Sequence, residues 1–160
     1  MLTEICQYLR NWFVRDKLTG QFVVVGGLIT YADGTALSLL EGQYYRVVGS
    51  VFNDGVHQYG TKEVTVNNAT TEVLIDPLTD EPAFDGAVWL MAVPPDFLAL
   101  VNDITTWTET SADAINSPYT SESFGGYSYT LRTASGSDGV TGGVTWQNQF
   151  KARLSPWRKI

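Results

Sequence analysis

Chemistry in this chain would have to start at His57, the one imidazole among 160 residues. A serine or cysteine nucleophile needs such a base, held in turn by a carboxylate. Asp54 lies just upstream, in an Asn53-Asp54-Gly55 turn, but the chain contains no Gly-x-Ser-x-Gly elbow. His57 therefore reads as a loop or partly buried structural residue. Cys6 is the only cysteine, and one Cys with one His cannot close a zinc site. Asp76, Asp80 and Glu81 are close enough in sequence to hold calcium loosely. They lack the alternating oxygen ligands and closing glutamate of an EF-hand loop, so an acidic turn around Pro77 is the simpler reading. Gly-Gly pairs stand at 26–27, 125–126 and 142–143, none followed by the Gly-Lys-Ser/Thr of a phosphate loop. With 17 acidic residues in the chain, a chance carboxylate pair says nothing about glycoside hydrolysis. The expectation is a protein that is not an enzyme, with no catalytic residue, metal or cofactor.

The elements that would place these side chains suggest an α+β chain. Leu2, Ile5, Cys6, Leu9, Trp12 and Phe13 recur at helical spacing, with Thr3 as a candidate N-cap. From about residue 20 to 93 the punctuation is that of short antiparallel strands. Gln21–Val25 and Leu28–Tyr31 flank Gly26-Gly27; Gln43–Val48 follows Glu41-Gly42; Val64–Val66 and Val73–Ile75 flank Asn67-Asn68; Ala87–Val93 closes the series. Turns at this spacing predict a small sandwich or barrel. Pro94-Pro95 then opens a helix to about 109 that carries Phe97, Leu98, Leu100, Val101, Ile104 and Trp107 on one face. Around Gly125-Gly126, Tyr127, Tyr129 and Leu131 alternate with Ser128, Thr130 and Arg132, an extended pattern. Residues 134–143 form a Gly/Ser-rich loop, and a short helix from about Thr145 stacks Trp146, Phe150 and Leu154. The organisation expected is a core domain over 1–110, an extended arm or hairpin with its loop over 111–143, and a helix with a basic tail over 144–160.

Bulk properties narrow the partners. The net charge of −7 repels phosphate backbones, although a negative wall suits a conduit along which DNA slides. Lys151, Arg153, Arg158 and Lys159 sit in a final stretch without an acidic side chain, a charge suited to an acidic partner surface. Five Trp, eight Tyr and seven Phe exceed the needs of a small core and point to assembly. A lone cysteine suits a reducing compartment. The N-terminus lacks a signal pattern and no apolar run reaches membrane length, so the expectation is synthesis in the cytoplasm without a membrane span.

The stretch Ser121-Glu122-Ser123-Phe124-Gly125-Gly126-Tyr127-Ser128-Tyr129, set between the Pro-started helix and a short basic-ended helix, resembles the head–tail connector (head-completion or adaptor) proteins of long-tailed phages. These commonly carry a Ser-Glu-Ser-x-Gly-x-Tyr-Ser segment there. The run from Glu41 to His57, followed by Phe84-Asp85-Gly86-Ala87-Val88-Trp89, and the closing Trp157-Arg158-Lys159-Ile160, are similar to connector-like proteins of prophages from Gram-positive bacteria. Connectors are commonly helical throughout, whereas residues 20–92 here read as β-structure.

The resemblance implies a virion protein, a homo-oligomeric ring, commonly of twelve subunits, under the portal protein. A tail-side stopper or tail-completion protein would dock beneath it, and DNA would pass through the lumen without sequence-specific binding. It implies subunit or neighbour contacts through Tyr119, Ser121, Glu122, Phe124, Gly125, Gly126, Tyr127, Tyr129 and Arg132. Portal docking would use Trp146, Phe150, Lys151, Arg153, Leu154, Trp157, Arg158 and Lys159. In each case a plainer role stands beside it: an internal hairpin, and a helix that caps its own core. A competing reading is a β-rich carbohydrate- or ligand-binding module of a phage tail, with Tyr44, Tyr45, Tyr59 and Trp89 lining one face. A small hydrolytic enzyme is a distant third.

Overall fold

The computed structural model describes residues 1–115, 121–124, 127–130 and 145–159. The chain forms two compact units that divide at Pro94/Pro95. A β unit comprises Leu2–Pro94 with the chain end from Lys159, and a helical unit comprises Pro95–Arg158 with Met1. The sequence boundary at 110 differs, because the Pro-started helix groups with the C-terminal helices.

The β unit begins with α1 (Leu2–Leu9), which buries Ile5, Cys6 and Leu9. The helix is shorter than its apolar spacing predicts. Arg10 turns left-handed at φ 54°, and the Asn11 side chain accepts from the Phe13 N–H at 3.1 Å, so Trp12 and Phe13 lead into a strand. Thr3 does not cap the helix; its Oγ1 accepts from the Val56 N–H at 3.1 Å. The Lys159 N–H donates to the carbonyl of Leu9, the last residue of the helix, at 3.1 Å.

The strands are β1 (Val14–Val25), β2 (Leu28–Tyr31), β3 (Tyr44–Val48), β4 (Gly55–Gln58), β5 (Thr61–Val66), β6 (Ala69–Leu74) and β7 (Glu81–Met91). Five of them make one antiparallel sheet in the order β2-β1-β7-β3-β4, curled into a half-barrel, while β5 and β6 pair only with each other. Two long central strands make the curl. β1 and β7 pair from Val14↔Met91 to Val24↔Glu81, with register shifts near both ends of β1 that increase local twist. At Gly86 the curl brings the β3 backbone so close that an added methyl would strike the Val48 carbonyl oxygen. The inner face gathers Phe22, Val24, Tyr45, Val47 and Val88, closed by Ile29, Leu37 and Leu78. The predicted turns are present. Gly26 and Gly27 have φ 61° and 81°, and Asn67 and Asn68 have φ 52° and 63°, the left-handed pairs that two-residue hairpins favour.

The helical unit holds α2 (Pro95–Ile115), the hairpin strands β8 (Ser121–Phe124) and β9 (Tyr127–Thr130), then α3 (Trp146–Gln149), α4 (Lys151–Leu154) and a 3₁₀ turn, Ser155–Trp157. Helix α2 outruns its expected end at 109. Its Thr105, Thr108 and Thr110 hydroxyls bond back to carbonyls one turn earlier, so these polar side chains find their partners within the helix. Thr145 caps α3, its side chain accepting from the Asn148 N–H. The C-terminal segment runs antiparallel to α2, since Phe150 meets Trp107 (ring centroids 6.0 Å) and Trp157 meets Phe97 (5.3 Å).

Candidate interaction surfaces

The side chains that could have done chemistry are held by structural contacts. The His57 ring lies with Nδ1 3.2 Å from Asp76 Oδ2 and Nε2 2.9 Å from the Asn53 carbonyl. Its other neighbour is the Tyr45 ring at 5.8 Å. Asp54, the carboxylate nearest in sequence, points instead toward Arg46 at 3.9 Å. Cys6 is buried, and burial pushes its thiol up to about 12, with the Arg46 charge opposing only in part; a thiolate is the nucleophilic form, so the side chain is a small hydrophobe. The three acids considered for calcium go three ways: Asp76 to His57 and the Gln58 N–H, Asp80 to the Gly27 N–H, and Glu81 inward. Among the described residues no group of three or more His, Cys, Asp or Glu side chains converges as a metal site.

Glu81 is the buried charge of the β unit. Its carboxylate accepts from the Ser50 hydroxyl, from the Val51 N–H at 2.8 Å and from Asn53 Nδ2 at 3.0 Å. Burial pushes the carboxyl up, but these bonds and one from the Phe52 N–H outweigh it, and it sits below its ordinary 4.5. Asn53 also exchanges two bonds with the Thr79 backbone, at 2.8 and 2.9 Å. The loop 50–54 is therefore fixed from within. Yet it carries Val51, 81% exposed, and Phe52, 63% exposed. Residue spacing carries no sign of this network, because its members lie about thirty residues apart.

On the outer face of the sheet Arg46 stacks between Trp12 and Trp89, its guanidinium 3.7 and 4.8 Å from the two ring centroids, and Lys17 covers Trp89 at 4.5 Å. The buried Arg46 Nε has no hydrogen-bond acceptor; the ring faces hold the charge instead. The four aromatics of the glycan-binding reading do not share a face. Strand alternation puts Tyr44 outward with Trp89, while Tyr45 and Tyr59 turn into the core.

The β5–β6 ribbon has two unlike faces. Val64, Val66, Ala69 and Val73 fall on one, with Val64, Val66 and Val73 exposed; Glu63 opposes Glu72 on the other. A lone two-stranded hairpin is marginal in water, and like charges directly opposed weaken it further.

The residues tied to the connector resemblance divide. Ser121, Glu122, Phe124, Tyr127 and Tyr129 lie in the β8–β9 hairpin, paired Ser121↔Thr130 through Phe124↔Tyr127 as a sheet of its own. Tyr119, Gly125, Gly126 and Arg132, with the Gly/Ser-rich loop 134–143, lie outside the described residues. In the C-terminal segment Leu154 is buried, Phe150 and Trp157 meet α2, and Arg153 reaches Asp103 at 2.7 Å. Trp146 is half-buried. The aromatics expected to anchor a partner thus largely face their own unit, because α2 offers an apolar stripe within reach. Lys151, Arg158 and Lys159 remain exposed.

No helix among the described residues is long and apolar enough to cross a membrane. Comparison with family models, with characterised proteins and with solved structures finds no match.

Proposed function

We propose that the chain is a structural virion protein. In this reading it forms a ring at the portal vertex, joins the portal to the tail and lets DNA pass through its lumen. The observation that carries it is the pair of hairpins, β5–β6 and β8–β9, each a two-stranded sheet that pairs with no other described strand. Such ribbons are weak alone but gain when a neighbouring chain covers them or extends their edges. One of them presents exposed valines, and the other is the segment that resembles connectors. The exposed Lys151, Arg158 and Lys159 supply charge for an acidic partner such as the portal, with little help from the aromatics of that segment. The net negative charge suits a passage that DNA must leave freely.

The test is mass and image together. Light scattering and negative-stain microscopy of the purified protein, alone and mixed with tailless portal-bearing heads, should show rings or ring-capped vertices, about twelve subunits each if the resemblance holds. A protein that stays monomeric and never joins the heads would end the proposal. A glycan-binding module of a phage tail stands as the second reading, and the division of its four aromatics between two faces counts against it.

A further inference from the structure

The β unit is polar from end to end. Where β1 begins, Arg10, Arg15 and Lys17 are exposed, Asp16 being the one acid in that stretch, and the exposed Tyr8 and Val14 lie among them. Where β1 ends, at most about 36 Å away at roughly 3.3 Å per residue over Val14–Val25, the charge reverses. There Asp80 and Asp85 are exposed, and the loop held by Glu81 presents Val51 and Phe52, while Val25 and Leu28 are exposed at the turn between β1 and β2. The register brings Val24 opposite Glu81, which holds the Val51 N–H, and sets Asp85 opposite Gln21, four residues further along β7.

Burying a carboxylate has a desolvation cost that the chain offsets with at least three donors. The outcome is a loop fixed from within whose two largest apolar side chains are mostly exposed and stand outside the core cluster. A preorganised apolar tip is what an interface anchor requires, since little freedom is left to lose on binding.

We infer that this acidic, apolar end of one copy docks on the Arg10–Lys17 end of a second copy, head to tail. Charge complementarity selects that occupant. A chain of net −7 repels its own kind unless the contact joins its acidic end to its basic one. Both ends also carry exposed apolar side chains to bury. A contact between two different patches repeats from copy to copy, and when the rotation closes it makes a ring. The inference rests on the ring reading and names the surface that would build it.

Charge exchange tests it. One variant carries Asp80→Lys and Asp85→Lys, a second carries Arg10→Glu and Arg15→Glu, and a third carries Val51→Ser and Phe52→Ser. Sedimentation velocity across protein and salt concentrations reads assembly, and thermal melts check folding. Each variant alone should associate at least about tenfold more weakly than wild type. An equimolar mixture of the two charge variants should regain assembly, because each then meets an opposite charge, and high salt should weaken wild type. Wild-type rings with all three variants unimpaired would overturn the interface and leave the ring reading standing. Charge variants that fail and do not recover on mixing overturn it too, as do variants that form rings but no longer join heads, which would assign the tip to the portal. Wild type that associates neither alone nor on heads sinks both.

Discussion

Replacing Glu81 by Gln keeps the shape and removes the charge, which isolates what the buried carboxylate does. Ser50, Val51 and Asn53 each donate to it. Hydrogen bonds to a charged group contribute about 1.5–3 kcal/mol against about 0.5–1.5 for neutral ones, so three bonds lose roughly 3 kcal/mol together. The amide NH₂ must also face a donor, whether Val51 N–H on one side or Ser50 and Asn53 on the other. With a urea dependence of about 2 kcal/mol per molar, the unfolding midpoint of the β unit should fall by roughly 1.5 M. The pH dependence supplies the sharper check. Folding holds this carboxyl below its ordinary 4.5, so on acidification the unfolded chain takes up the proton first. The stabilisation is complete above that value and drains away as the pH falls through the folded-state value. The gap between wild type and Glu81→Gln should therefore be full at pH 7 and shrink below about pH 4.5. Other carboxylates act on both proteins and cancel in the difference. A gap that is absent at pH 7, or that persists undiminished at pH 3, refutes the reasoning.

Two further substitutions probe the frame. Gly86→Ala puts a methyl against the Val48 carbonyl oxygen and the Phe84 ring; it should cost about 2–3 kcal/mol by urea unfolding, as overpacking does, and a wild-type midpoint would show that the curl relaxes freely. Phe150→Ala removes the ring that meets Trp107; hydrogen exchange at 151–157 should quicken while the amides of β1 and β7 keep their protection, and unchanged exchange would mean that Leu154 and Trp157 alone hold the segment.

Local signals were legible wherever neighbours in sequence settle the conformation. Gly26-Gly27 and Asn67-Asn68 announce two-residue turns because left-handed φ values suit those residue types. Pro95 at the first turn and the apolar stripe Phe97–Ile104 announce α2, and Thr145 announces the helix it caps. The end of α1 was missed, because Trp12 and Phe13 continue its spacing while the chain must already turn into β1. The start of β1 was missed too, since Val14–Gly20 is exposed along almost its whole length and shows no clean alternation.

The sequence by itself determined an α+β chain, most of its turns and helices, and the uneven charge along its length. Periodicity and turn chemistry act between residues a few positions apart, so they can be read without the fold. Only the tertiary structure decided the rest. It folded Glu81 under the 50–54 loop, set Arg46 between two tryptophans, split the aromatics between the sheet's faces and turned Phe150 and Trp157 toward α2. Each joins residues roughly thirty to seventy positions apart, and such contacts exist only once strand register and helix packing have set which side chains share a space.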